Sequence, residues 1–175
     1  ALRVRKRRPC LGGRRLDDPD GGVPEEARDL RPEEIGYVQH IDVKAIDDVA
    51  AAAGGRVFVL VLPGSFVDPS RSLARVTGID DPDELAAIVR SFTIGDQRSF
   101  DQDPRFGCCV LAEIGSRALS PGINDPGTAI DVIGRAVRLF AEWLRQELRG
   151  DAETDEVSFP NVWVPPLATA DLFDD

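Results

Sequence analysis

The sequence predicts an α+β fold: a small, mostly antiparallel sheet packed on an antiparallel helical hairpin. Three observations predict it. Residues 34–78 alternate short β-branched runs with turn residues. Three Asp-Pro pairs, Asp81-Pro82, Asp103-Pro104 and Asp125-Pro126, each open a stretch with helical apolar spacing. The last two stretches are joined by a short loop, the mark of antiparallel neighbours.

The elements follow in order. Residues 1–32 are Arg-rich, then rich in Gly, Pro and Asp (LGGRRLDDPDGGVPEE), and read as a basic arm and flexible linker. Residues 33–175 read as a single domain. EIGYVQHIDV (34–43) has strand character. VKAIDDVAAAA (43–53) places Val43, Ile46, Val49 and Ala50 at helical spacing, and Gly54-Gly55 stops it. RVFVLVL (56–62) reads as a buried strand, followed by turns at Pro63-Gly64 and Asp68-Pro69 and a short strand near 73–76.

Helices are then expected over 82–92, 104–119 and 126–149. An Asp at the N-cap accepts from an orphan backbone N–H, and Pro at the next position loses no bond it would have made. The second helix aligns Phe106, Val110, Leu111, Ile114 and Ala118. The third aligns Ile130, Ile133, Val137, Phe140, Leu144 and Leu148 on one face. A last strand is expected within VSFPNVWVPPL (157–167).

Charge is distributed unevenly. Net charge is −10, yet the first fifteen residues hold seven Arg or Lys and no acid, leaving −17 on the rest. An acidic body argues against nucleic acid as a partner, while the arm is suited to anionic lipid. Cys10, Cys108 and Cys109 form no secreted disulfide framework. His40 is the single histidine, and no CxxC, HExxH or Gly-rich phosphate loop is present, so no metal or cofactor is expected. No run of eighteen apolar residues occurs and no signal peptide is visible. The chain starts at Ala and contains no Met, which reads as a piece of a longer protein.

Two loops hold the candidate binding residues. GDQRSFDQDPRFG (95–107) contributes Arg98, Gln102 and Asp103. RALSPGINDPGTA (117–129) contributes Arg117, Ser120, Asn124 and Asp125. Capping accounts for Asp125 but requires neither Ser120 nor Asn124. Arg117 stands four residues after Glu113, where the two can pair on a helix. A helix of about 16 residues, roughly 24 Å, separates the loops, so one chain is not expected to join them into a single constellation through it. His40 shares a strand face with Asp42 and reads as a satisfied surface histidine. No catalytic or metal-binding residue is assigned.

GYVQHID (36–42), PGSFV (63–67), IGDQRSFDQDPRFG (94–107) and RALSPGINDPGTA (117–129) resemble, in this order, a family of predicted bacterial integral membrane proteins, domain of unknown function 2254. The resemblance covers roughly residues 35–172, with SPGINDP its most specific piece. Ser65 and Glu113 stand where the family usually has aspartate. The resemblance implies transmembrane helices ahead of this region, and the basic arm beside a membrane exit then favours the cytoplasmic side of the inner membrane. The expectation is a soluble regulatory or assembly domain of an uncharacterised membrane protein. It binds a partner subunit or small ligand and forms homo-oligomers. The rival readings are a hydrolase using Asp103, Asp125 or Glu113 as base, and a purely structural domain.

Overall fold

A computed structural model describes residues 9–19, 21–150, 157–167 and 169–172. These fall into two compact units. One holds 9–103 with 157–167, and the other holds 104–150 with 169–172. The fold class is α+β, as expected, with two sheets in the first unit.

The five-stranded sheet runs in the order β1 (Gly13–Arg15), β8 (Phe159–Val164), β4 (Arg56–Val59), β6 (Ala74–Thr77), β2 (Arg28–Leu30). β8 runs parallel to β1 and β4; the β4–β6 and β6–β2 pairs are antiparallel. The three-stranded sheet is antiparallel, in the order β5 (Phe66–Val67), β3 (Gly36–Ile41), β7 (Phe92–Gly95). Val57, Val59, Val162 and Val164 meet Ile46 and Ala50 of α1 (Val43–Ala53) in the main core, which also takes Val38, Ile41 and Phe92. Ile88 of α2 (Pro82–Arg90) joins the same core.

β4 is apolar on both faces, so both need a cover. Phe58 is covered by Leu16 and Val23, with Trp163 alongside. Both covering residues belong to the segment expected as linker. Where that linker was expected, β1 and β2 add strands to the sheet, and Leu16 N–H donates to the Val164 carbonyl at 3.0 Å. The basic cluster at residues 3–8 lies outside the described residues.

Caps form at Asp81 and Asp125, while Asp103, before the third helix, accepts from Arg98. Asp81 accepts from the N–H groups of Asp83 and Glu84, and Gly54 ends α1 in the left-handed region at φ 70°. Asp42 is a cap as well, accepting from Ala45 N–H at 3.0 Å. The helix expected to reach 92 stops at Arg90, because Phe92–Gly95 leaves to pair with β3.

The second unit is a hairpin of α3 (Pro104–Ala118) and α4 (Pro126–Gly150). Its buried apolar set among the described residues is small: Ala118, Ala129, Trp143 and Leu172. Trp143 Nε1–H donates to Thr169 Oγ1 at 3.2 Å. The two helices meet beside Gly115, where a Cβ would sit 3.5 Å from Val132 Cγ1, an ordinary van der Waals contact.

Candidate functional site

Three surfaces concentrate polar or exposed apolar groups. The first lies within the sheet unit, where residues 96–103 are fastened to β3. Gln39 lies across Gly95, where a Cβ would come within 2.6 Å of Gln39 Nε2. From there Gln39 donates to the Gln97 carbonyl at 2.7 Å. Gln102 clamps Ile41, accepting from its N–H at 2.9 Å and donating to its carbonyl at 3.3 Å. His40 Nδ1 lies 2.9 Å from Asp101 Oδ2. Arg98 Nε–H donates to Asp103 Oδ2 at 2.7 Å, and Asp103 is only 2% exposed.

These bonds bring two of the sequence motifs together, 36–42 and 94–107. Arg98, Gln102 and Asp103 therefore sit in one cluster, and each is engaged in holding the loop. His40 faces Asp101 where Asp42 was the expected neighbour. Asp42 is instead spent on the α1 cap. A carboxylate at Nδ1 orients an imidazole, which is the one chemically poised feature of this cluster. Among the described residues no group of three His, Cys, Asp or Glu is placed to hold a metal ion.

The second surface is the hairpin loop. Asp125 Oδ1 accepts from Thr128 N–H at 3.1 Å and its Oδ2 from the Thr128 hydroxyl at 2.6 Å. The Thr128 hydroxyl and N–H together hold the Asp125 carboxyl below the usual carboxylate range. Ser120 Oγ–H donates to the Arg117 carbonyl at 2.7 Å, and the Ser120 carbonyl accepts from Ile123 and Asn124. Asn124 adopts φ 48°, in the left-handed region that Asn tolerates better than most side chains. Ser120, Asn124 and Asp125 thus each have a role in shaping the loop. Arg117 lines a shallow groove of about 250 Å³ with Glu113, Ile114, Ala118, Ile123, Asp125 and Thr128. The expected Glu113–Arg117 ion pair does not form among the described residues.

The third surface is the apolar face of α4 read from the sequence, and it points outward. Ile130, Ile133 and Val137 are 69%, 62% and 60% exposed, and Leu144 is exposed as well. Phe140 is half-buried, and the Leu148 side chain lies outside the described set. The reason is a second apolar row on the same helix. Ala129 and Trp143 are buried and Val132 packs near Gly115. This row packs in the hairpin, and the row of larger aliphatics stays in water. The signal was available: the two rows together span roughly 160° of the helix at about 100° per residue, wider than the stripe of about 100° that one packed face needs.

The arrangement is thus a fastened loop cluster, a shaped hairpin tip and an uncovered helix face, carried on an α+β scaffold. The class it belongs to is a family of predicted membrane proteins. The chain belongs to the family described as "Predicted membrane protein (DUF2254)", whose pattern matches residues 4–175. Relatives include "Uncharacterized protein Mb1321c" of Mycobacterium bovis (strain ATCC BAA-935 / AF2122/97) and "Uncharacterized protein Rv1290c" of Mycobacterium tuberculosis (strain ATCC 25618 / H37Rv). Each is 30% identical over 148 residues, covering 81% of this chain and 28% of the relative's own length. No solved structure matches this chain. Among the described residues no helix is long and apolar enough to cross a membrane.

Proposed function

We propose that this chain is an assembly domain of a membrane protein, lying on the cytoplasmic side of the inner membrane and docking a protein partner through α4. The observation that carries the reading is the exposed row Ile130, Ile133, Val137 and Leu144. Leaving such side chains mostly in water forgoes about 1 kcal/mol or more apiece that burial would supply. Contiguous apolar faces of this kind mark interaction surfaces. Family membership supplies the membrane context. In this reading the membrane-spanning part corresponds to sequence that the relatives carry beyond the matched 28%. The seven Arg and Lys among the first fifteen residues support the cytoplasmic side.

The hydrolase reading has less support. Its loop carboxylates are occupied: Asp103 accepts from Arg98 and Asp125 from Thr128. The groove beside Arg117 favours a small ligand only weakly, because about 250 Å³ is less than the 300 Å³ or so at which ligand pockets begin.

The test is Val137→Asp in the protein expressed from its complete reading frame in bacterial membranes. Because Val137 is exposed, the substitution leaves the circular dichroism and melting temperature of the 175-residue chain unchanged. The detergent-extracted protein is expected to migrate as a smaller species than wild type on a native gel. Unchanged migration would overturn the docking reading.

A further inference from the structure

We infer that His40 is a phosphoryl-accepting residue, with Nε2 as the nucleophile and Asp101 as the residue that positions the ring.

The local chain turns His40 outward. Val38 and Ile41 are both buried, although they stand three residues apart on one strand. An irregularity in the pairing of β3 with β7, between Val38 and His40, reverses the alternation there. With a regular strand His40 would share the face of Val38 and point into the core. Instead its side chain is 41% exposed.

Bonds on either side set its position. Gln39 donates to the Gln97 carbonyl, and Gln102 holds both backbone groups of Ile41. The residues before and after His40 are therefore tied to the loop that carries Asp101. Asp101 N–H itself donates to Ser99 Oγ at 3.2 Å. These bonds already fasten the loop, and an exposed ion pair adds little stability to them. What the His40–Asp101 bond adds is orientation. An ionised carboxylate only accepts, so Nδ1 carries the proton. In the neutral ring the lone pair is then on Nε2, which has no hydrogen-bond partner among the described residues.

An imidazole nitrogen held in this way is a nucleophile. Exposure selects the group it keeps. His40 and Asp101 are 41% and 48% exposed, so water reaches the ring. An acyl group on imidazole is lost quickly to water, whereas an N-phosphoryl group persists at neutral pH. The donor class is a phosphoramidate. The Nε2 lone pair attacks phosphorus, and the new N–P bond forms as the donor's P–N bond breaks. The donor nitrogen, already protonated, leaves as the neutral amine with that electron pair. The ring keeps its Nδ1 proton and becomes an imidazolium, whose charge faces the Asp101 carboxylate.

Phosphoramidate added to the 175-residue chain tests this, followed by phosphorus NMR and intact mass. One acid-labile phosphoryl group is expected, on Nε2 alone. It is expected to form about fivefold faster than on the same chain unfolded in urea, the margin an exposed charge pair supplies. Asp101→Ala changes an exposed residue and is expected to keep the circular dichroism of wild type. It slows the reaction to the unfolded rate and lets phosphate appear on Nδ1 as well. His40→Gln takes no phosphoryl group. Phosphate on Nδ1 of wild type overturns the inference, as does a folded rate no faster than the unfolded one. So does a rate and site unchanged by Asp101→Ala, or labelling that survives His40→Gln.

Discussion

Arg98 donates from Nε to Asp103 Oδ2 at 2.7 Å, and the Asp103 carboxylate at the entrance to α3 is almost wholly shielded from water. The pair ties the loop after β7 together within the sheet unit. Removing Arg98 leaves a charge buried without this counter-ion, which typically costs about 3 kcal/mol or more. Arg98→Met is therefore expected to lower the urea midpoint of the sheet unit sharply. Arg105→Met, on the first turn of α3, makes a useful comparison.

Asn124 tests the hairpin tip. Its left-handed conformation costs a residue without Asn's or Gly's tolerance about 1 kcal/mol. Asn124→Ala is expected to lower the melting temperature, and Asn124→Gly to leave it near wild type. If both were silent, the tip would owe nothing to backbone conformation, and a ligand role for Asn124 would regain force.

The Asp125 carboxylate gives the loop a pH signature. Bonds from the Thr128 hydroxyl and N–H place its pKa below the ordinary aspartate value of about 3.9. A depressed pKa stabilises the fold above the unfolded-state value, and that stabilisation disappears as pH falls through the folded value. The melting-temperature gap between wild type and Asp125→Asn should be constant near neutrality and close below about pH 4. A gap that widened in acid would contradict the assignment.

The two tryptophans report separately on the two units. Trp143 is buried in the hairpin, and Trp163 stacks on Phe58 in the sheet unit with ring centroids 5.1 Å apart. The hairpin core is thin, so it belongs to the low-stability end of the molecule. With Trp163→Phe as background, Trp143 emission is expected to shift red at lower urea than Trp163 emission does with Trp143→Phe as background. Coincident transitions would show one cooperative body.

Much of this fold is legible from local chemistry. Asp-Pro pairs place the starts of α2, α3 and α4 because a cap and a fixed φ are properties of neighbouring residues. β1, β2, β5 and β7 are not legible in this way. They are two to four residues long and owe their extended form to distant partners, as when Gly13 aligns with Phe159. Arg14 illustrates the point: it reads as part of a solvated basic arm, yet its guanidinium lies 5.5 Å from the Trp163 ring centroid. The clamp of Gln102 on Ile41 spans 61 positions, so local reading marks Gln102 as polar without showing what it binds. On α4 the two apolar rows are equally visible, and packing within the hairpin selects the one that holds Ala129 and Trp143.

The central claim is that the exposed row of α4 is covered in the assembled protein. The most direct measurement is the rate of maleimide labelling of Val137→Cys in membranes, in a background without Cys10, Cys108 and Cys109. Ala52→Cys on the exposed side of α1 is the reference. In a single chain both sites are open to solvent. Slow labelling at 137 and fast labelling at 52 are expected. Equal rates in the wild-type background would contradict the claim.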